Sequence, residues 1–145
     1  MIIRLSKISS IMIAFFCSII FAGVSDKEYK QLIKEDPFNT IYPKVIIKEA
    51  TEYSDKSMAL YEQSDIPEKY AQLIALAVSA AFKCQYCIPA HKMAAIDAGA
   101  TEEEIKIAIN IAADVAMGST LFYGNEFDLD EFKSELKKIS KEKKK

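Results

Sequence analysis

From residue 25 onward the apolar positions of the chain fall at helical spacings, and the segment reads as helices throughout. SDKEYKQLIKED, starting at Ser25, is a short polar helix that must stop before Pro37, because the residue ahead of a proline is pushed out of the helical region. From about Tyr42 to Glu62 a looser stripe of Val45, Ile46, Ala50, Tyr53 and Leu60 predicts a longer helix, with Pro43 suited to its first turn. Asp65, just ahead of Ile66 and Pro67, predicts a helix start with a capping side chain and an early proline. The helix that follows, PEKYAQLIALAVSAAFK, is apolar on nearly every face and is expected to be the central buried element. Next comes IPAHKMAAIDAG, ending at Gly99, a good terminator. Thr101 with Glu104 three residues on is a capping box that opens the last long helix, which runs to about Phe122. The predicted fold class is all-α.

That long helix carries two apolar faces. Ile105, Ala108, Ile109, Ala112 and Ala116 lie on one, and Ile107, Ile111 and Gly118 on another. A domain of this size has little interior in which to bury a helix twice. A homo-oligomer is therefore expected, with burial inside the monomer as the alternative. The chain ends in KSELKKISKEKKK, read as a solvated, fraying lysine-rich helix. The segments are thus residues 26–66 (amino-terminal helices), 67–123 (the core) and 124–145 (the lysine-rich helix and tail).

Residues 1–25 stand apart. Arg4 and Lys7 precede an uncharged run from Ile8 to Val24, and small residues follow before the charged DKEYK. This is the pattern of a secretory signal peptide, with Gly23 and Ser25 at the small positions for cleavage after Ser25. An exported, periplasmic protein is expected. An uncleaved membrane anchor is the alternative, although the run is short for a span. Phe15 and Phe16 stand where small residues would precede a lipidated Cys17.

Removing that segment leaves 17 basic and 21 acidic residues, a net charge near −4, so no nucleic-acid partner is expected. It also leaves a single cysteine pair, in KCQYCIPAH. There Cys84 and Cys87 are three apart and His91, the only histidine in the chain, follows four later. In an oxidising compartment such a pair can be a disulfide. A bridge closing so small a loop adds little stability, so a staple is a poor reason for placing it there. Pro89 is tolerated only in a first helical turn, which puts the helix start near Gln85 or Tyr86 and Cys87 inside that turn. A thiol there faces unpaired N–H groups and the positive end of the helix dipole, which favours the reactive thiolate. His91 shares a helix face with Cys87 and could take its proton. Two other readings stand beside this redox dithiol. A zinc site is one, though a structural site needs four ligands and only three are at hand. Incidental burial of all three residues is the other.

The stretch QLIALAVSAAFKCQYCIPAHKMAAIDAGATEEEIKIAINIA resembles the core of the carboxymuconolactone decarboxylase superfamily, and its C-x-x-C-x-x-x-H pattern resembles the AhpD-like alkylhydroperoxidase branch. The resemblance extends from Pro67 to about Phe122. It implies an all-helical fold assembled as trimers or larger rings, and a cysteine-based peroxidase or disulfide reductase. The decarboxylase branch lacks the dithiol, so decarboxylation is disfavoured. By the same resemblance Cys87 attacks the peroxide, Cys84 resolves it as a disulfide, and His91 belongs to a proton relay with a glutamate on the preceding helix. That glutamate falls at position 72, which here is Gln72. Gln72 can orient His91 but cannot exchange a proton. Glu68, one turn earlier, is a candidate substitute, about 6 Å further along a straight helix.

The expectation is an exported thiol peroxidase acting on a hydroperoxide and reset by a thiol reductant the sequence does not name. No cofactor and no resident metal are called for. The alternatives are a dithiol exchanger acting on disulfides, or a non-catalytic metal-binding or structural helical module.

Overall fold

The computed structural model describes residues 23–143 of the chain. The predicted signal segment therefore falls, up to residue 22, outside the described residues. Among the described residues there are six α-helices, one short 3-10 turn and no strand, so the fold is all-helical. The chain divides into two compact units, one ending at Leu60 and the other beginning at Tyr61.

In the first unit, α1 (Asp26–Glu35) starts as the sequence predicts. Ser25 caps it, its hydroxyl accepting from the Glu28 N–H at 3.2 Å. Asp36 ends α1 and at once caps the 3-10 turn Pro37–Ile41 through the Phe38 N–H. Asn39 in that turn is buried, and both its amide nitrogen and its amide oxygen are bonded. Its amide donates to Leu32 O at 3.0 Å, and its carbonyl accepts from the Thr51 hydroxyl at 3.2 Å. These bonds fasten α1 and the turn to α2 (Ile47–Glu62).

Helix α2 begins five residues later than the predicted Tyr42 start. Pro43 offers its carbonyl to the N–H groups of both Ile46 and Ile47, making a turn ahead of the helix instead of its first turn. Ile47 is the buried apolar residue of this helix, while most of the predicted stripe, including Tyr53 and Leu60, is exposed.

The second unit takes in the last two residues of α2, Tyr61 and Glu62, and holds α3 (Glu68–Ala81), α4 (Cys87–Asp97), α5 (Glu102–Gly124) and α6 (Leu129–Glu142). Asp65 does not cap α3. Pro67 itself is the cap residue, with extended ψ and no side-chain bond, so Asp65 lies two residues outside the helix. Helix α3 packs on both α4 and α5, and the core gathers Leu73 and Leu76 from α3, Ala95 from α4, and Ile105 and Ala108 from α5. It is central, as predicted, but buried on one side only: Tyr70, Ile74 and Val78 are about half exposed. The second face of α5 is likewise open at Ile107 and Ile111.

Three helices in this unit end in the same way. After α3, α4 and α5 the chain turns through one residue with positive φ, at Lys83 (55°), Gly99 (87°) and Glu126 (52°). At each turn the following N–H reaches back over a full turn: Cys84 to Ser79 O, Ala100 to Ala95 O, and Phe127 to Phe122 O. These are Schellman motifs, which satisfy carbonyls the helix end leaves bare. The last is sealed by an edge-on contact of the Phe122 and Phe127 rings, 5.5 Å between centroids, and Phe132 of α6 joins them.

The capping box at the start of α5 is complete, and its Glu104 has a second task. While one carboxylate oxygen accepts from the Thr101 N–H, the other takes a hydrogen bond from Lys69 of α3 at 2.7 Å. Lys69 and then the Thr101 N–H hold the Glu104 carboxyl below the usual carboxylate range, and Glu104 raises Lys69 in turn.

Leu76 is fully buried, so Leu76→Ala is expected to cost about 3 kcal/mol in urea unfolding; a loss under about 1 kcal/mol would mean the core is misassigned. A carboxyl lowered in the folded state stabilises above its unfolded pKa, and that support fades as pH falls through the folded value. Glu104→Gln should therefore destabilise at neutral pH and lose that effect in acid. Thermal unfolding at pH 7 and pH 3 measures this, and an equal effect at both contradicts it.

Candidate active site

The site is built at the joint between α3 and α4. The Schellman turn after α3 fixes Cys84, whose N–H bonds Ser79 O at 3.0 Å. Lys83 takes the left-handed position there, where a side chain costs about 1 kcal/mol and glycine is usual. Cys84 then opens the next element. Its carbonyl accepts from Ile88 N–H at 3.1 Å, and its sulfur accepts from Cys87 N–H at 3.2 Å. This is the bond pattern of a helix cap, with sulfur in place of the usual side-chain oxygen. Regular helix begins only at Cys87, because Pro89 has no N–H to offer the Gln85 carbonyl. Cys84 stands just ahead of the helix and Cys87 in its first turn, the placement the proline predicts.

Cys84 and Cys87 are joined as a disulfide, and both are half-buried. Phe82 and Tyr86 bracket Cys84 and are almost fully exposed, at 82% and 89%. No acidic residue occurs from Tyr70 to Ile96, while Lys83 and Lys92 do. Cys87, in the first turn of α4, stands at the positive end of that helix's dipole.

His91 follows Cys87 by one turn of α4, and its Nδ1 lies 2.9 Å from Oε1 of Gln72 on α3. Gln72 is buried, at 3% exposure, so a core residue anchors a half-exposed imidazole. An amide oxygen only accepts. With that oxygen as acceptor, Nδ1 carries the proton of the neutral ring and Nε2 is its unprotonated nitrogen. Of the residues picked from the sequence, Cys84, Cys87, His91 and Gln72 are brought together. Glu68 is exposed in the first turn of α3, and the Nδ1 hydrogen bond goes to Gln72 instead.

Sequence reasoning missed Tyr61. Its ring, near the end of α2, lies 5.5 Å from the imidazole of His91 between centroids, tilted by 34°. Nothing marks it in the sequence: it sits in a loosely patterned helix thirty residues ahead of the histidine. Among the described residues, no group of three histidine, cysteine or acidic side chains is placed to hold a metal ion.

Parts of the chain are similar to known proteins. A curated protein of Paracoccus denitrificans, "Uncharacterized protein 4 in cox locus", is 33% identical over 70 residues, which cover 48% of this chain and 63% of that protein. The chain thus matches less than two thirds of that relative's length. A crystal structure of a protein from Methanobacterium thermoautotrophicum is 28% identical, covering 53% of this chain and 88% of that one, with a TM-score of 0.49. The model of the carboxymuconolactone decarboxylase family matches residues 50–124, a span that takes in α3, α4, α5 and Tyr61. With just over half its length matched, the chain belongs to the carboxymuconolactone decarboxylase family.

Proposed function

We propose that the protein is a cysteine-based thiol peroxidase of the AhpD-like branch of its family. The observation that carries this reading is the Cys84–Cys87 pair at the start of α4, one turn from a histidine anchored on a buried glutamine. In the reduced protein His91 Nε2 takes the Cys87 proton, directly or through a water. The thiolate attacks one oxygen of a hydroperoxide. An S–O bond forms, the O–O bond breaks, and the departing alkoxide takes the proton held by His91, leaving as an alcohol. Cys87 is then a sulfenic acid. Cys84 attacks its sulfur, the S–S bond forms, and the displaced hydroxide leaves as water with the Cys84 proton. Two electrons pass from the dithiol to the peroxide. An external thiol donor returns them by exchange at the disulfide, where the N–H bonded to Cys84 favours that sulfur as the leaving thiolate.

One observation favours a second reading. Gln72 is a neutral partner for His91, so it orients the ring but cannot pass on a proton. Exchange between thiols and disulfides demands less of such a relay than peroxide cleavage does. A dithiol exchanger is therefore the alternative.

The basic, apolar and small residues of the first 25 positions support export, to the periplasm. The half-exposed Ile74 of α3 and Ile107 and Ile111 of α5 line an apolar groove, which supports a homo-oligomer, a trimer or a multiple of it. Sedimentation of the purified protein should then give a mass of several chains, and a monomer at micromolar concentration contradicts this.

The function is tested by stopped-flow oxidation of the reduced protein by hydrogen peroxide, an organic hydroperoxide and a disulfide in parallel. The parent should oxidise fastest with a hydroperoxide. Cys87→Ser should abolish peroxide consumption, and Cys84→Ser should turn over once and then gain further oxygen on Cys87 by mass spectrometry. If both variants consumed peroxide like the parent, the roles would be wrong; oxidation by the disulfide alone would select the exchanger.

A further inference from the structure

Tyr61 has no part in the reaction as written, yet its ring lies against the one imidazole of the chain. A single hydrogen bond does not fix a ring. His91 is half-exposed and bonded at Nδ1 to Gln72, and about that line the imidazole could still swing, carrying Nε2 with it. Gln72 itself is held by burial. What limits the swing is a flat surface from another helix, and the Tyr61 ring supplies one at 5.5 Å between centroids. Contacts between two such rings are worth keeping in their own right, because aromatic pairs gain beyond the area they bury.

We propose that Tyr61 is a positioning residue which, together with Gln72, fixes the orientation and tautomer of His91. The inference rests on the reading of His91 as proton acceptor for Cys87. Gln72 decides which nitrogen carries the proton, and Tyr61 keeps the ring where that bond is made. The ring of Tyr61 performs this task, since it is the two rings that meet, 5.5 Å between centroids and tilted by 34°, and its hydroxyl is not needed. The buried neutral amide then makes the aromatic wall matter more: a charged partner would hold the imidazole more strongly on its own.

The test uses the reduced full chain with Tyr61→Phe and Tyr61→Leu, and His91→Ala as a control. Because His91 is the only histidine, its ring nitrogens are read without assignment in a nitrogen-15 correlation spectrum. The parent and Tyr61→Phe should both show the proton on Nδ1 and oxidise at equal rates. Tyr61→Leu should show mixed tautomers and oxidise roughly three- to tenfold more slowly, the range an aromatic pair is worth. Tyr61→Leu with the parent spectrum and rate overturns the proposal. So does Tyr61→Phe as slow as Tyr61→Leu, which would give the role to the hydroxyl. If His91→Ala oxidises as fast as the parent, the proton-acceptor reading fails instead, while the spectrum still decides whether Tyr61 sets the ring.

Discussion

Three hydrogen bonds on one residue hold the site together. Cys84 gives its N–H to the end of α3, its carbonyl to the first turn leading into α4, and its sulfur to the N–H of Cys87. The residue is thus the last of one helix terminus and the first of the next. Any drift of α4 against α3 must break at least one of these bonds. Through them the position of the dithiol is tied to the packed face of α3, where Leu73 and Leu76 meet α4 and α5. The chemistry inherits its precision from a helix end, and the helix end from the core.

The two sulfurs are consequently unlike. Cys84 is supported by a backbone N–H, which cannot change its charge with pH. Cys87 stands one turn from His91, whose imidazole is anchored on Gln72. One sulfur is suited to leave as an anion, the other to be made into one when needed. That division agrees with the proposed cycle, in which Cys87 meets the oxidant and Cys84 departs during reduction. The glutamine bonded to the histidine cannot itself pass a proton to the ring. Proton delivery then falls to the imidazole alone or to solvent.

Much of this was legible in the sequence because it depends on local chemistry. Ser25, the Thr101–Glu104 box, the Gly99 terminator and the place of Cys87 relative to Pro89 are all set by backbone groups within a few residues. The start of α2 was not. Pro43 fits a first turn as well as a preceding turn, and the choice is made by packing around Ile47. Nor was the cap of α3, because an aspartate two residues before a proline has the right type at the wrong distance. Lys83 and Glu126 take positions where glycine is expected, and only the surrounding turn can hold them there. Tyr61 was invisible for the plainest reason: its partner is thirty residues away, and no spacing rule connects them.

The central claim is that the start of α4 and His91 together keep a reactive sulfur anion at Cys87. The direct measurement is the rate at which iodoacetamide alkylates Cys87 in the reduced protein at pH 7, folded and then unfolded in urea, with the site mapped by mass spectrometry. In the folded protein Cys87 should react on the order of tenfold faster, since only the thiolate reacts and a free thiol is mostly protonated at that pH. A folded rate equal to or below the unfolded one would contradict the account.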